Sequence, residues 1–231
     1  MQDGLSFKDI LRDLRGPHVI DEFRTSWAIA LLYRMTSPPF VWICARLGLT
    51  PMAVTALGFL LALSMPLQAM FLPVPVAVWA LFISGALFQI LDCVDGTLAR
   101  LTGRTSLIGA DLDYLSDMHQ HAMFYGSLGL LADRLLGTGF FWTTLGLVAV
   151  VARLLARLVR EQVSSRQEAG EPSPWSWKEL PVAFVAGLSG LIPFGALAGP
   201  WMGHVIVALI IYGLLDIVDA MAPMRRPPYR D

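Results

Sequence analysis

No charged side chain occurs between Leu47 and Leu91, and that absence does most to decide what this chain can fold into. A helix needs roughly 20 apolar residues to cross a bilayer core. The run is long enough for two such helices, and Pro73 with Pro75 supplies the break between them. A second uncharged stretch, Leu180 to Leu215, divides in the same way at Gly199 and Pro200. With 55% hydrophobic residues, only 15% charged and a mean hydropathy of +0.60, the chain is too apolar for an ordinary soluble domain of 231 residues. The expectation is an all-α polytopic membrane protein with six transmembrane helices: near 52–72, 74–92, 113–131 and 138–156, and two within 180–215.

Cation placement orients these spans. If the segment around Asp92 to Asp117 is cytoplasmic, 16 of the 17 Lys and Arg residues fall on the cytoplasmic side and only Arg134 falls outside, as the positive-inside rule requires. Both termini are then cytoplasmic. The net charge of -1 gives no basis for a nucleic-acid partner.

The first fifty residues do not read as a secretory signal, because Arg24, Arg34 and Arg46 interrupt their apolar pieces. Trp27, Ile29, Leu31 and Leu32, flanked by Arg24 and Arg34, predict an interfacial amphipathic helix along the cytoplasmic surface. The alternative is an amphipathic helix packed on the bundle without touching lipid. The organisation expected is a cytoplasmic region over 1–50 with this helix, a membrane domain over 51–221 and a cytoplasmic tail over 222–231.

Four aspartates at the membrane boundary need a reason. Asp92 and Asp95 stand at i and i+3, Asp113 and Asp117 at i and i+4, so each pair shares one face of its own helix. Two acidic faces repel unless cations lie between them. Carboxylate oxygens suit Mg²⁺ or Mn²⁺, and Mg²⁺ typically combines a few carboxylates with substrate phosphate oxygens. Gly96 and Ala99 leave room for a bulky ligand near the backbone, and Arg100 offers a permanent cation to phosphate. These residues read as a divalent-metal site for a phosphorylated ligand; the alternative is a set of solvated acids on a loop.

Written as D-x-x-D-G-x-x-A-R, eight residues, then G-x-x-x-D-x-x-x-D, the segment holds Asp92, Asp95, Gly96, Ala99, Arg100, Gly109, Asp113 and Asp117. This pattern resembles the signature of the CDP-alcohol phosphotransferase family at every fixed position. The resemblance implies an integral membrane enzyme that moves a phosphatidyl-like group from a CDP-linked donor, CDP-diacylglycerol first among them, to an alcohol and releases CMP. It also implies that Asp92, Asp95, Asp113 and Asp117 hold two metal ions, that Asp117 is the base, and that the protein is a homodimer. A bacterial inner membrane is the expected location.

Other residues extend the resemblance. Thr50, Pro51 and Thr55 resemble the family's T-P-N-x-x-T, with Met52 where Asn is usual, which leaves Thr55 as the better candidate to reach the donor. Ser106 stands three residues before Gly109, where several members use a hydroxyl on the donor, and it equally suits a helix N-cap. Arg153, Arg157 and Arg160, at i, i+4 and i+7, present three guanidinium groups on one face. They suit either the phosphate of an acceptor or donor, or anchoring to anionic lipid.

The remaining polar residues carry weaker readings. A second D-x-V-D at Asp216 to Asp219 lacks the following glycine and is expected to cap a helix near Arg225 and Arg226. Of His119 and His121 only the latter shares the face of Asp117, as a possible ligand or a polar residue lining the cavity. Cys44 and Cys93 lack zinc spacing and predict no disulfide. Glu161 to Glu179, with Trp175 and Trp177, reads as a loop returning to the interface.

Two other classes compete. An intramembrane prenyltransferase also clamps diphosphate with aspartates and magnesium, but needs a second acidic motif, for which Asp216 and Asp219 are the only support. A divalent-cation transporter would place its acids near the midplane rather than at helix ends. The acceptor, a small polar alcohol, is not specified: inositol, inositol phosphate, glycerol phosphate, serine, choline and ethanolamine all remain open.

Overall fold

The computed structural model describes residues 5–164 and 180–222, and these contain helices and connecting turns with no strand. Four short helices come first: α1 Phe7–Asp13, α2 Pro17–Thr25, α3 Trp27–Ile29 continuing as a π-helical turn Ala30–Arg34, and α4 Pro38–Arg46. The long helices follow: α5 Pro51–Phe71, α6 Val74–Leu101, α7 Leu107–Leu136 and α8 Phe141–Ser164. Then come α9 Leu180–Gly187, a 3₁₀ stretch Leu188–Trp201 and α10 Met202–Met221. Trp175, Trp177, Arg225, Arg226 and the expected tail lie outside the described residues.

Helix ends follow local chemistry. Thr50 accepts from the Ala53 amide with Pro51 in the first turn of α5, and the Ser106 hydroxyl accepts from the Gly109 amide at 3.0 Å to cap α7. Gly137 ends α7 with φ of 67°, a left-handed conformation that favours glycine. Asp133 then accepts from the amides of Trp142 (3.0 Å) and Thr143 (2.8 Å), satisfying donors that the start of α8 leaves free. Arg134 donates to the carbonyls of Ala69 and Leu72 at the end of α5, where a cation also complements the helix dipole.

Packing is set by small residues and apolar stripes. On α5 the buried positions are Val54, Gly58, Ala62, Met65 and Ala69, stepping by three and four residues as one helical face must. Ala62, Met65 and Ala69 share a core with Leu81 and Phe88 of α6 and Phe124 and Leu128 of α7, all almost wholly buried, while Val54 packs with Val94 and Leu98 of α6. Gly129 lets α7 touch α8: a Cβ there would come within 2.7 Å of the Trp142 carbonyl oxygen. Gly213 does the same for α10, 2.9 Å from the Ala152 methyl. Close backbone approach through small residues is how helices associate where lipid removes the hydrophobic drive between them. Outward faces carry exposed Leu60, Leu63, Trp79, Ile83, Val151 and Leu155, apolar side chains suited to lipid.

Among the described residues four helical stretches are long and apolar enough to cross a membrane: Pro51–Phe71, Val74–Leu101, Phe141–Val163 and Ala183–Met221. A fifth arises if Trp27–Arg34 and Pro38–Arg46, bent by 54°, count as one broken span. The protein is therefore an integral membrane protein on length and composition, with four or five such stretches where six were expected. The expected third span is not among them because α7 is studded with Asp113, Asp117, His119, Gln120 and His121. The expected fifth and sixth merge into one stretch, bent at Gly199, whose φ is 54°.

The helix expected at the interface is partly tied to the bundle. Trp27 stacks on Phe184 (5.6 Å) and donates from Nε1 to its carbonyl, and the Tyr33 hydroxyl donates to the Gly190 carbonyl at 2.8 Å. Leu31 stays exposed.

Candidate active site

The acidic residues stand where α6 and α7 meet the helix ends. Asp92, Asp113 and Asp117 line a cavity of about 870 Å³, open at one side and shared with α2, α8, α9 and α10. Asp95 is buried, and its Oδ2 accepts from the Thr55 hydroxyl at 2.6 Å. That hydroxyl has one proton, and the Pro51 carbonyl at 3.2 Å is the weaker partner. Thr55 thus orients a carboxylate.

The three arginines of α8 line the same cavity, each already partnered. Arg157 donates to Oδ2 of Asp117 and lies over the Tyr114 ring, 5.7 Å from its centroid. Arg153 donates to Asp216 Oδ2 at 2.6 Å, and Arg160 donates to Asp216 Oδ1 and to Asp219 at 3.0 Å. Asp216 and Asp219 therefore serve α8; their expected partners Arg225 and Arg226 are outside the described residues. The four ion pairs between these three arginines and three aspartates explain how so many charges share one cavity, since two like charges about 4 Å apart repel by about 4 kcal/mol at an effective dielectric of 20.

Residues of the signature's glycine and arginine steps lie just beside the acids. At Gly96 a Cβ would meet only Nη1 of Arg100, at 3.4 Å. Arg100 donates to both carboxylate oxygens of Asp13 on α1. Burial alone would raise the Asp13 carboxyl, but the hydrogen bond and charge of Arg100 outweigh it and hold Asp13 below its ordinary value. Ala99 is half-buried on α6, and Ser106 with Gly109 forms the α7 cap, so the Ser106 hydroxyl already has a partner.

His121 lines the cavity, with Nδ1 2.7 Å from the Asp117 carbonyl oxygen, whereas His119 turns away to stack on Phe59. Cys44 and Cys93 are both free and buried. Sequence reasoning missed Glu22, Arg24 and Tyr114 on the cavity wall. Tyr114 was adjacent to Asp113 and open to notice; Glu22 had no local signal.

Carboxylate oxygens of this number and kind fit a hard divalent cation. In the conformation described, no three His, Cys, Asp or Glu side chains among the described residues converge closely enough to hold an ion. Asp117 and Asp95 face Arg157 and Thr55 instead.

A search of curated proteins returns no match. Residues 48–215, most of the chain and all of the acidic segment, match the family described as CDP-alcohol phosphatidyltransferase. With that match spanning well over half of its length, the chain belongs to the CDP-alcohol phosphatidyltransferase family.

Proposed function

We propose that this protein transfers a phosphatidyl group from CDP-diacylglycerol to a hydroxyl of a small polar acceptor, releasing CMP. Membership of a phosphotransferase family that acts on CDP-alcohols in lipid synthesis gives the reaction type. The observation that carries the finer reading is the cavity itself. Asp92, Asp113 and Asp117 of α6 and α7 and Arg153, Arg157 and Arg160 of α8 all line it, so one cavity offers both carboxylates and guanidinium groups to a diphosphate and an attacking alcohol.

The family is generally dependent on divalent metal. Asp92, Asp95, Asp113 and Asp117 are the residues we assign to hold two Mg²⁺ or Mn²⁺ ions, which supply charge neutralisation for the diphosphate and the departing CMP. Arg100, Gly96, Ala99, Thr55, Ser106 and Gly109 belong to the donor side of the site. Asp117 accepts the proton of the acceptor hydroxyl as its oxygen bonds to the lipid-side phosphorus. The bond from that phosphorus to the bridging oxygen breaks, and CMP leaves with the electron pair. Arg157, paired with Asp117 and lying over Tyr114, is the cation nearest the assigned base and the one we assign to an acceptor phosphate; Arg153 and Arg160 pair with Asp216 and Asp219 on α10.

In the membrane we read six crossings: α5, α6, α7, α8, α9 continued by the 3₁₀ stretch, and α10. Residues 51–221 then form the enzyme domain, 1–50 a cytoplasmic region with an interfacial helix and 222–231 a tail. The cavity faces the cytoplasm of a bacterial cell, so acyl chains stay in lipid while acceptor and CMP exchange with water. A homodimer is the assembly we expect.

The deciding experiment incubates the purified protein with CDP-diacylglycerol, Mg²⁺ or Mn²⁺ and a panel of acceptors, and measures CMP and the lipid product. Metal-dependent CMP release with one preferred acceptor is the expected result. No CMP from any combination would end the reading.

A further inference from the structure

We propose that Asp13, on α1, is a positioning residue for Arg100: it grips one edge of the guanidinium and leaves the remaining nitrogen beside Gly96, where the diphosphate of the donor approaches. The inference rests on the proposed function, in that Arg100 serves the donor. It adds a residue from the N-terminal region, before the 48–215 match begins.

Both edge contacts are present. Arg100 Nε donates to Asp13 Oδ1 at 3.3 Å and Nη2 to Oδ2 at 3.0 Å, while Nη2 also lies 3.1 Å from the Thr97 hydroxyl. Among the described residues Nη1 takes no hydrogen bond, and it is the atom a Cβ at Gly96 would meet. Gly96 follows the buried Asp95 directly. A fork held on its Nε and Nη2 edge has a fixed plane, so the direction of Nη1 is fixed with it.

Solvent exposure distinguishes this pair from an ordinary surface bridge, whose worth is about 0–1 kcal/mol. The Asp13 side chain is 9% exposed, against 33% for Arg100, and His18 Nε2 lies 3.4 Å from its Oδ2. The acid is therefore built in and the cation reaches out. Arginine loses much rotamer freedom on binding phosphate, and a side chain already fixed in place loses less. Asp13 thus favours donor binding through Arg100 without touching the donor.

The opposite reading of the same contact is that Asp13 competes with phosphate for Arg100. Steady-state kinetics of the full-length protein in mixed micelles with CDP-diacylglycerol separates them. Asp13→Asn is expected to raise the donor KM about tenfold, the scale of a lost charge-assisted interaction, with the acceptor KM unchanged. Asp13→Glu should recover part of the loss. In an Arg100→Gln background Asp13→Asn should add nothing, because the two act as one unit.

A donor KM that is unchanged or lowered in folded Asp13→Asn overturns the inference, as does a full additive loss in the double variant. Should Asp13→Asn not fold, Asp13→Glu decides alone: a raised donor KM at constant acceptor KM supports it, and an unchanged donor KM overturns it. A wild-type protein that releases no CMP from any CDP-linked donor removes the parent reading and this one together. An active wild type with an indifferent Asp13→Asn removes this one alone.

Discussion

The Thr55 hydroxyl donates to Oδ2 of Asp95 at 2.6 Å and so joins α5 to the most deeply buried of the four signature acids. A carboxylate assigned to hold metal gains from a neighbour that fixes its rotamer, and loss of such an outer partner typically costs 10–100-fold in metal affinity or activity. Thr55→Val removes the donor but keeps the shape. It is expected to raise the Mg²⁺ concentration for half-maximal CMP release by about tenfold or more, while Thr55→Ser stays near wild type. A Mg²⁺ titration of both variants checks this, and equal curves for wild type and Thr55→Val would show that Asp95 needs no such support.

Asp117 on α7 and the acids on α6 should fail differently. Asp117→Asn keeps size and one coordinating oxygen but loses the base, so kcat should fall by at least ~100-fold while Mg²⁺-dependent binding of CDP-diacylglycerol partly survives. Asp92→Asn or Asp95→Asn should weaken metal and donor binding together. Direct binding measurements alongside turnover make the distinction. Near wild-type turnover by Asp117→Asn would remove the base assignment.

The three arginines make a graded prediction. Arg157 is the one placed on Asp117, and Arg153 and Arg160 share Asp216. If the acceptor is phosphorylated, Arg157→Gln should raise its KM by about tenfold and leave the donor KM near wild type. Arg153→Gln leaves Asp216, 13% exposed, with one partner fewer, so its main effect should be on the unfolding midpoint. An acceptor KM unmoved by Arg157→Gln favours the lipid-anchoring role for these cations.

What the sequence made legible is governed by distance along the chain. The acids of α6 and α7 sit at helical spacing, so their shared faces could be read directly, and three of the four do line one cavity. The N-cap at Ser106 was readable for the same local reason. The grip of Asp13 on Arg100 joins residues 87 apart, and that of Arg153 on Asp216 joins residues 63 apart. No local periodicity announces either. Polarity and function coincide on α7: it is 30 residues long, yet the side chains that line the cavity keep apolarity alone from marking it as a span. Arg134 was legible only as an exception to the charge rule. The structure gives it work, on the carbonyls that end α5.

Helix packing offers a test independent of chemistry. A Cβ on Gly129 would press within 2.8 Å of the Thr143 Cα and closer still to a carbonyl, and backbone cannot move aside as a flexible side chain can. Gly129→Ala should therefore destabilise by about 1–3 kcal/mol, the range for overpacking, and Gly126→Ala, where a Cβ meets nothing within 4 Å, should be close to neutral. Thermal unfolding in one detergent compares the two. Equal midpoints would mean that α7 and α8 do not approach as described.

Topology completes the set, because the placement of cations alone carries the proposed orientation. Cys44 and Cys93 are buried, so their reaction with a membrane-impermeant thiol reagent should be slow in intact cells and introduced cysteines should stand out. Thr105→Cys lies in the turn before α7, and Phe140→Cys, 80% exposed, lies in the turn before α8, at the other end of the same 30-residue helix. A helix of that length spans about 45 Å at 1.5 Å per residue, enough to set the two positions on opposite sides of the bilayer. With the cavity cytoplasmic, Phe140→Cys should label from outside, and Thr105→Cys and Lys8→Cys only after permeabilisation. External labelling at Thr105→Cys with protection at Phe140→Cys would invert the orientation, and external labelling at both would show that α7 does not cross.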